Sequence, residues 1–360
     1  MARKRVLIVD DSAVMRGLLR SVVAADPLLE VAGTAANGAD ALEAMETLKP
    51  DLMLLDVEMP VMDGLETLRR LQARGSQVPV IMCSAVTQRG ARVTIEALAS
   101  GAADYVAKPA QQASREQAFA KLSKELLPKL RELARRRQGA RAALPLPSVA
   151  PTSTGEVPRI VAIGVSTGGP AALERVLPEL PSSFSLPVLV VQHMPDLFTR
   201  SLADRLDRNC RVRVREAEEG AAVCAGQAVI ARGDWHLEVQ AVAGGAALQH
   251  LTRKPPENHC RPSADVLFRS CGAVYGAGVL AVVLTGMGSD GLAGCRGLRQ
   301  AGAMVLAQDE ATSAVWGMPG AVARAGLANR ILPLDQIAGE MVRIASGDFK
   351  EVQKLRDAVA

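Results

Sequence analysis

Residues 160–170 read Ile-Val-Ala-Ile-Gly-Val-Ser-Thr-Gly-Gly-Pro, an apolar run that ends in a serine and a glycine-rich turn. Such a run predicts a buried strand, and the residues after Pro170 have a helical pattern. Glycines around Ser166 would let a substrate carbonyl approach, and N–H groups at the helix start could meet a developing oxyanion. Ser166 is therefore a candidate nucleophile, although turns of this kind also cradle phosphate groups.

Two further polar residues follow apolar runs in the same half of the chain. His193 comes directly after residues 188–192, and Asp290 lies in a glycine-rich loop after residues 279–284. Carboxyl ends of parallel strands share one edge of a sheet, so we expect Ser166, His193 and Asp290 to converge there. His193 would take the serine proton, and Asp290 would fix the imidazole tautomer and stabilise the imidazolium.

Ser166, His193 and Asp290 could each have a role other than catalysis. A histidine at a strand end more often only packs, and an aspartate in a glycine-rich loop is usually a cap or turn former. The coincidence of the three at one sheet edge carries the prediction. Their order along the chain, Ser, His, Asp, differs from the Ser, Asp, His order of the α/β-hydrolases, which weakens assignment to that superfamily.

The rest of the chain alternates strand-like and helical patterns, which predicts an α/β protein with two doubly wound parallel sheets. Strands are predicted at residues 6–9, 31–35, 52–55, 80–82 and 105–106, then at 160–165, 188–192, 228–231 and 279–285; helices include 13–24 and 39–48. Leucines spaced three or four apart after Phe119 indicate an amphipathic helix, which Pro128 should kink or split.

Residues 139–158 are rich in Ala, Pro, Ser and Thr without an apolar period, which is typical of a flexible linker. The predicted organisation is a first domain at 1–125, a helix end and linker at 126–157, a second domain at 158–347 and a tail at 348–360. At roughly 150 residues per domain, 360 residues fit two domains.

The composition of the chain argues against several classes of protein. The chain contains no apolar run of membrane-spanning length, and acidic residues follow its first apolar run where a signal peptide would stay apolar, so we expect a cytoplasmic protein. The six cysteines form no C-x-x-C pair, and we expect buried thiols. Residues 115–141 carry the excess positive charge, which suits the solvated side of a helix better than a nucleic-acid interface.

Acidic residues end two strands of the first half. Asp10 and Asp11 follow the first strand and Asp56 ends the third, so the three carboxylates should meet. Such a cluster needs a cation, for which we expect Mg²⁺, and the ion could also orient a phosphoryl donor for attack by Asp56. Ser84 and Lys108, at the ends of the fourth and fifth strands, could hold phosphate oxygens. The simpler alternative is that the acids are helix caps and a strand-end residue.

This set of residues, with Val-Glu-Met-Pro-Val-Met-Asp-Gly at positions 57–64, resembles the receiver domain of response regulators over residues 4–125. The resemblance implies a flavodoxin-like fold, phosphorylation of Asp56 by a histidine kinase, and Mg²⁺ bound by Asp10, Asp11 and Asp56. Tyr105 lies where receivers carry a switching aromatic residue, although a strand tyrosine is as often simple core.

Residues 158–347 resemble the chemotaxis methylesterase family, CheB, in the stretches 164–170, 191–195, 198–203, 261–268, 284–291 and 308–320. The resemblance implies a Rossmann-like domain in which Ser166, His193 and Asp290 form the triad, Thr167 lines the site and the Met287 N–H meets the oxyanion. It also implies hydrolysis of glutamate γ-methyl esters on chemoreceptors, deamidation of glutamines, and no cofactor for that reaction. Phosphorylation of the receiver would loosen its cover over the site.

Two other functions compete with this interpretation. A receiver could control a non-catalytic module such as a DNA-binding output, but about 190 residues of αβ pattern without a helix-turn-helix signal argue against it. A second possibility keeps the triad and changes the substrate to another protein ester or amide. Release of methanol from methylated receptor separates these substrates.

Overall fold

The computed structural model describes residues 3–109, 114–136 and 156–347. The chain divides into two compact units, Met1–Arg141 and Ala142–Ala360. Most of the predicted linker and the predicted tail lie outside the described residues. The predicted domain limits at 125 and 158 stay predictions.

The first unit is built on a five-stranded parallel sheet in the order β2-β1-β3-β4-β5. Its elements are β1 (Lys4–Val9), α1 (Ala13–Ala24), β2 (Leu29–Ala35), α2 (Gly38–Leu48), β3 (Leu52–Asp56), α3 (Gly64–Ala73), β4 (Val80–Ser84), α4 (Gln88–Ala99), β5 (Asp104–Ala107) and α5 (Arg115–Arg136). The five predicted strands and both predicted helices are confirmed, with ends shifted by at most two residues. The strand order brings Asp10 and Asp56 to neighbouring strand ends.

Pro128 was predicted to kink or split the helix after Phe119. It does not split it, because α5 runs through Pro128, and the kink stays a prediction. Proline removes one backbone hydrogen bond from a helix interior, at a cost of about 3 kcal/mol. Burial of an apolar face offsets that cost, since each buried leucine contributes about 1.5–3 kcal/mol. The leucines of that face are almost fully buried: Leu122, Leu126, Leu130 and Leu133.

The second unit contains a seven-stranded parallel sheet in the order β14-β13-β12-β6-β7-β9-β8. Its strands are β6 (Ile160–Val165), β7 (Val188–Gln192), β8 (Arg213–Glu216), β9 (Gln227–Ile230), β12 (Val279–Val283), β13 (Met304–Gln308) and β14 (Arg330–Leu332). An antiparallel hairpin of β10 (His236–Ala241) and β11 (Ala247–Thr252) stands apart from this sheet. The helices are α6 (Gly169–Val176), α7 (Asp196–Asn209), α8 (Ala264–Tyr275), α9 (Leu292–Gln300), α10 (Met318–Arg324) and α11 (Leu334–Ala345).

The centre of this sheet positions the candidate site. Strand β6 lies between β12 and β7, and all three are fully buried, as parallel strands covered on both faces are. Val165 pairs with Gln192 and Gly164 with Val283, so the three strands end at the same level. Ser166, His193 and the loop that carries Asp290 therefore leave the sheet at one edge, as predicted.

Among the helices that the structure describes, none is long and apolar enough to span a bilayer.

Packing of the first sheet can be tested with two leucines of the same unit. Leu54 in β3 is fully buried, whereas Leu28 is half exposed. We expect Leu54→Ala to lower the free energy of unfolding by about 2–5 kcal/mol and Leu28→Ala by less than about 1 kcal/mol. Urea unfolding of the first unit measures both, and equal losses would contradict this description of the core.

Candidate active site

Ser166 occupies the first position after β6, where the chain turns into α6. Its N–H donates to the Thr285 carbonyl (3.0 Å), and its carbonyl accepts from Gly169 N (2.8 Å) and from Gln192 Nε2 (3.0 Å). Gly168 has a φ of 77°, a left-handed conformation that glycine adopts without steric cost. These bonds fix the serine backbone from both neighbouring strands while its side chain stays partly exposed.

The loop after β12 passes very close to Ser166. A Cβ atom at Gly286 would lie 2.8 Å from Ser166 Cβ, so a larger residue would push the two segments apart. Met287 follows at a half-buried position, and Thr167 is buried with its carbonyl accepting from Thr285 Oγ1 (2.9 Å). The predicted oxyanion and lining residues thus flank the serine, and their roles stay predictions.

His193 and Asp290 meet in this structure. His193 Nε2 lies 2.7 Å from Asp290 Oδ2, although the two residues are 97 positions apart in the chain. Asp290 follows β12 and His193 follows β7, the two neighbours of the strand that carries Ser166. The three residues therefore follow adjacent strand ends, and their catalytic roles stay predictions.

The Asp290 carboxylate is buried and receives several other hydrogen bonds. It accepts from Ser263 Oγ (2.8 Å), from Asn258 Nδ2 (2.9 Å), and from the N–H groups of Ala264 (2.6 Å), Asp265 (3.1 Å) and Gly291 (3.1 Å). Two of these N–H groups belong to the first turn of α8, where a helix favours an anion. Burial alone would raise the pKa of Asp290, but His193 and these donors hold it well below its ordinary value.

His193 is affected in the opposite direction. Burial lowers the pKa of its imidazole, but hydrogen bonds and charge from Asp290 and Cys260 outweigh burial and raise the pKa to about 9. The direction of this shift favours the protonated form of the imidazole in the resting site. A cationic imidazole cannot take a proton from serine, so His193 must first lose one.

The second ring nitrogen of His193, Nδ1, lies 3.5 Å from Cys260 Sγ. Within the part of the chain that the structure describes, no hydrogen bond joins the Ser166 hydroxyl to His193. Since Nε2 is held by Asp290, Nδ1 is the nitrogen available for contact with the serine.

Sequence reasoning assigned no site role to five residues: Gln192, Asn258, Cys260, Ser263 and Asp265. Asp265 is buried and accepts from Gly294 N (2.6 Å), and its pKa is raised by burial first and by the charge of Asp290. Ser263 could have been found, because a serine directly before a helical pattern is a common helix start.

The expectation of buried thiols holds for Cys83, Cys271 and Cys295, but it is wrong for Cys210 and Cys260, which are half-buried, and for Cys224, which is exposed.

The acidic cluster of the first unit is also confirmed. Ligand oxygens of Asp10, Asp11 and Asp56 all lie within 4.8 Å of one another. Three hard oxygen ligands at that spacing fit a divalent cation such as Mg²⁺. The interpretation of these acids as helix caps fails, because Ser12 caps α1 and Asp10 Oδ1 accepts from Ser12 N instead.

Lys108 neutralises part of this cluster. Its Nζ lies 2.7 Å from both Asp10 Oδ2 and Asp56 Oδ2. Burial raises the pKa of Asp56 to about 6, although Lys108 opposes the shift. The Ser84 hydroxyl is buried nearby and donates to the Ala85 carbonyl (3.2 Å). Asp56 thus lies next to the Lys108 ammonium, and the roles of Ser84 and Lys108 as phosphate contacts stay predictions.

Both units match models of known protein families. The family model of the CheB methylesterase matches residues 161–341, and that of the response regulator receiver domain matches residues 6–120. The chain belongs to the CheB methylesterase family.

Relatives of the CheB family align with nearly the whole of this chain. A protein of Nocardioides sp. is 50% identical over 352 residues, covering 94% of each chain, and one of Trichodesmium erythraeum is 46% identical, covering 95% of this chain and 99% of its own. Both are named protein-glutamate methylesterase/protein-glutamine glutaminase. The crystal structure of the Thermotoga maritima CheB methylesterase catalytic domain is 40% identical with a TM-score of 0.51, covering 52% of this chain and 98% of that domain.

The titration of His193 predicts how Ser166 reacts with a serine-directed fluorophosphonate. We expect the labelling rate to rise about tenfold per pH unit below a midpoint near 9 and to level off above it, because only neutral His193 accepts the hydroxyl proton. Intact-mass measurements between about pH 6 and 10 would follow the rate. Ser166→Ala should take no label, and a pH-independent rate in the wild-type chain would contradict the assignment of His193 as the base.

Proposed function

We propose that this chain is a phosphorylation-regulated methylesterase that hydrolyses glutamate γ-methyl esters on chemoreceptors and deamidates receptor glutamines. The contact between His193 Nε2 and Asp290 Oδ2, at 2.7 Å beside the strand end that carries Ser166, is the observation that supports it most. The names and full-length similarity of its relatives support the substrate class. A cytoplasmic location and the predicted domain limits belong to the same proposal.

Acylation begins with Asp290 holding the proton on His193 Nε2, which leaves Nδ1 as the base. Nδ1 takes the Ser166 hydroxyl proton as Oγ attacks the ester carbonyl. The Met287 N–H donates to the oxyanion of the tetrahedral intermediate, and Thr167 lines the same cleft. The imidazolium then returns its proton to the leaving oxygen, so that methanol departs and an acyl-serine remains.

Deacylation repeats these steps with water in place of serine. His193 takes a proton from water, the resulting hydroxide attacks the acyl carbonyl, and the proton returns to Ser166 Oγ. The product is a glutamate carboxylate. A glutamine side chain follows the same route and differs only in its leaving group, which is ammonia.

The first unit supplies the regulation. Asp56 would accept a phosphoryl group from a histidine kinase, and Asp10, Asp11 and Asp56 would hold Mg²⁺. When bound, Mg²⁺ neutralises the negative charge that gathers at this edge. With a pKa of about 6, Asp56 is mainly ionised at neutral pH and can act as the nucleophile. Lys108 and Ser84 would turn from their present partners to the new phosphate oxygens.

Phosphorylation adds about −1.5 to −2 charges and three acceptor oxygens beside Lys108, which now bridges Asp10 and Asp56. We propose that the unphosphorylated receiver covers the esterase cleft and that this rearrangement loosens the cover. A coupling free energy of about 1–3 kcal/mol would raise the rate about 5- to 150-fold.

Methanol release from methylated receptor tests substrate, chemistry and regulation together. We expect a phosphodonor to raise the rate within that range in the wild-type chain and to have no effect on Asp56→Asn, which lacks the acceptor carboxylate. A fragment that begins at Pro158 should be as fast as the phosphorylated chain.

The experiment tests receiver occlusion and the substrate assignment separately. A fragment no faster than the unphosphorylated chain would contradict receiver occlusion. Absence of methanol from an authentic methylated receptor, with Ser166 still labelled by fluorophosphonate, would leave the triad in place and move the substrate to another protein ester or amide.

A further inference from the structure

The turn formed by residues 257–260 is held in an unusual conformation next to the triad. Glu257 and Cys260 exchange two backbone hydrogen bonds, at 3.1 Å and 2.9 Å. Between them Asn258 and His259 both have left-handed backbones, with φ of 52° and 63°. This conformation costs free energy in residues other than glycine, and it persists only where the surroundings hold it.

Side chains fasten this turn at two points. Arg269 of α8 forms a two-pronged ion pair with Glu257, at 2.6 Å and 2.5 Å. The Asn258 amide nitrogen donates to Asp265 Oδ2 (2.8 Å) and to Asp290 Oδ1 (2.9 Å), so it joins two buried carboxylates. The turn is therefore tied both to α8 and to the acid of the triad.

The same turn presents the Cys260 sulfur to His193 Nδ1, at 3.5 Å. Asp290 already occupies Nε2, so both ring nitrogens have partners, and among the described residues neither nitrogen has a hydrogen bond to the Ser166 hydroxyl. In the proposed mechanism Nδ1 is the nitrogen that takes the serine proton. The Cys260 thiol is thus the present partner of the nitrogen that would serve the nucleophile.

We propose that Cys260 is a positioning residue whose sulfur is the resting partner of His193 Nδ1, and that the Cys260 sulfur and the Ser166 hydroxyl alternate as partners of Nδ1. This inference rests on the proposed function, because Nδ1 matters only if His193 is the base. An imidazolium N–H donates to the sulfur in the resting site. Loss of that proton frees the ring to turn to Ser166.

The groups around His193 support this role. Asp290 faces the ring from the loop after β12 and Cys260 faces it from the turn, with Asp265 behind Asp290. Both Asp290 and Cys260 act to raise the pKa of His193, against the effect of burial. Removing the sulfur should therefore lower the His193 titration midpoint below about 9 and leave more neutral imidazole at pH 7.

Cys260→Ala should therefore be faster than the wild-type chain at neutral pH. If the midpoint falls by about one unit, kcat/KM at pH 7 rises about tenfold, while the plateau at high pH is unchanged. A thiol that served only packing would instead change kcat/KM by the same factor at every pH.

The experiment uses the full chain and two readouts. The first is the titration midpoint of His193 followed by NMR in a Ser166→Ala background, with and without Cys260→Ala; the second is the pH profile of kcat/KM for methanol release. Cys260→Ser, which keeps a small acceptor at this position, should give an intermediate midpoint. Cys224→Ala, which removes an exposed thiol, is the matched control and should match the wild-type chain.

A downward shift of the midpoint in Cys260→Ala, with Cys260→Ser in between, supports the proposal. An unchanged midpoint in folded Cys260→Ala or Cys260→Ser overturns it, whatever the change in rate. The NMR readout needs no turnover, so a chain that releases no methanol would contradict the proposed function and leave this test decisive.

Discussion

The Asp290 carboxylate is buried where the loop after β12 meets the first turn of α8, and it accepts hydrogen bonds from three backbone N–H groups and three side chains. A buried carboxylate is tolerated only when it is paired and fully hydrogen-bonded. The same atoms therefore stabilise α8, fix the turn that carries Asn258 and orient His193. Packing and chemistry in the second unit depend on one group, so its loss would disturb both.

The pKa values of Asp290 and Asp56, carboxylates at or after strand ends in the two units, are shifted in opposite directions. Asp290 receives many donors and an imidazole, which keep its pKa below the ordinary value. Asp56 has Lys108 as its main partner and Asp10 as a like-charged neighbour, and burial raises its pKa to about 6. The first arrangement suits a permanent anion that orients a base. The second leaves Asp56 with fewer donors, which suits a carboxylate that would react as a nucleophile.

Much of both sites could be predicted because the carboxyl ends of parallel strands meet at one edge of a sheet. Ser166 and His193 directly follow buried apolar runs, and such runs are easy to recognise in the sequence. Residues outside that rule could not be found. Asn258 and Cys260 lie in a turn whose left-handed backbone depends on contacts with α8, and no local pattern marks it. The hairpin of β10 and β11 was also missed, because it lies outside the main parallel sheet and the rule about strand ends does not apply to it. The split at Pro128 was predicted from the low helix propensity of proline. That propensity takes no account of the leucines of α5, whose burial stabilises the continuous helix.

The central claim is that His193 and Asp290 act as one unit on Ser166. A double-mutant cycle of methanol release with His193→Gln, Asp290→Asn and their combination measures this directly. Residues that act as a unit are strongly non-additive, so the double variant should be no slower than the slower single variant. Losses that multiply would show that the two side chains act independently, and they would contradict the account.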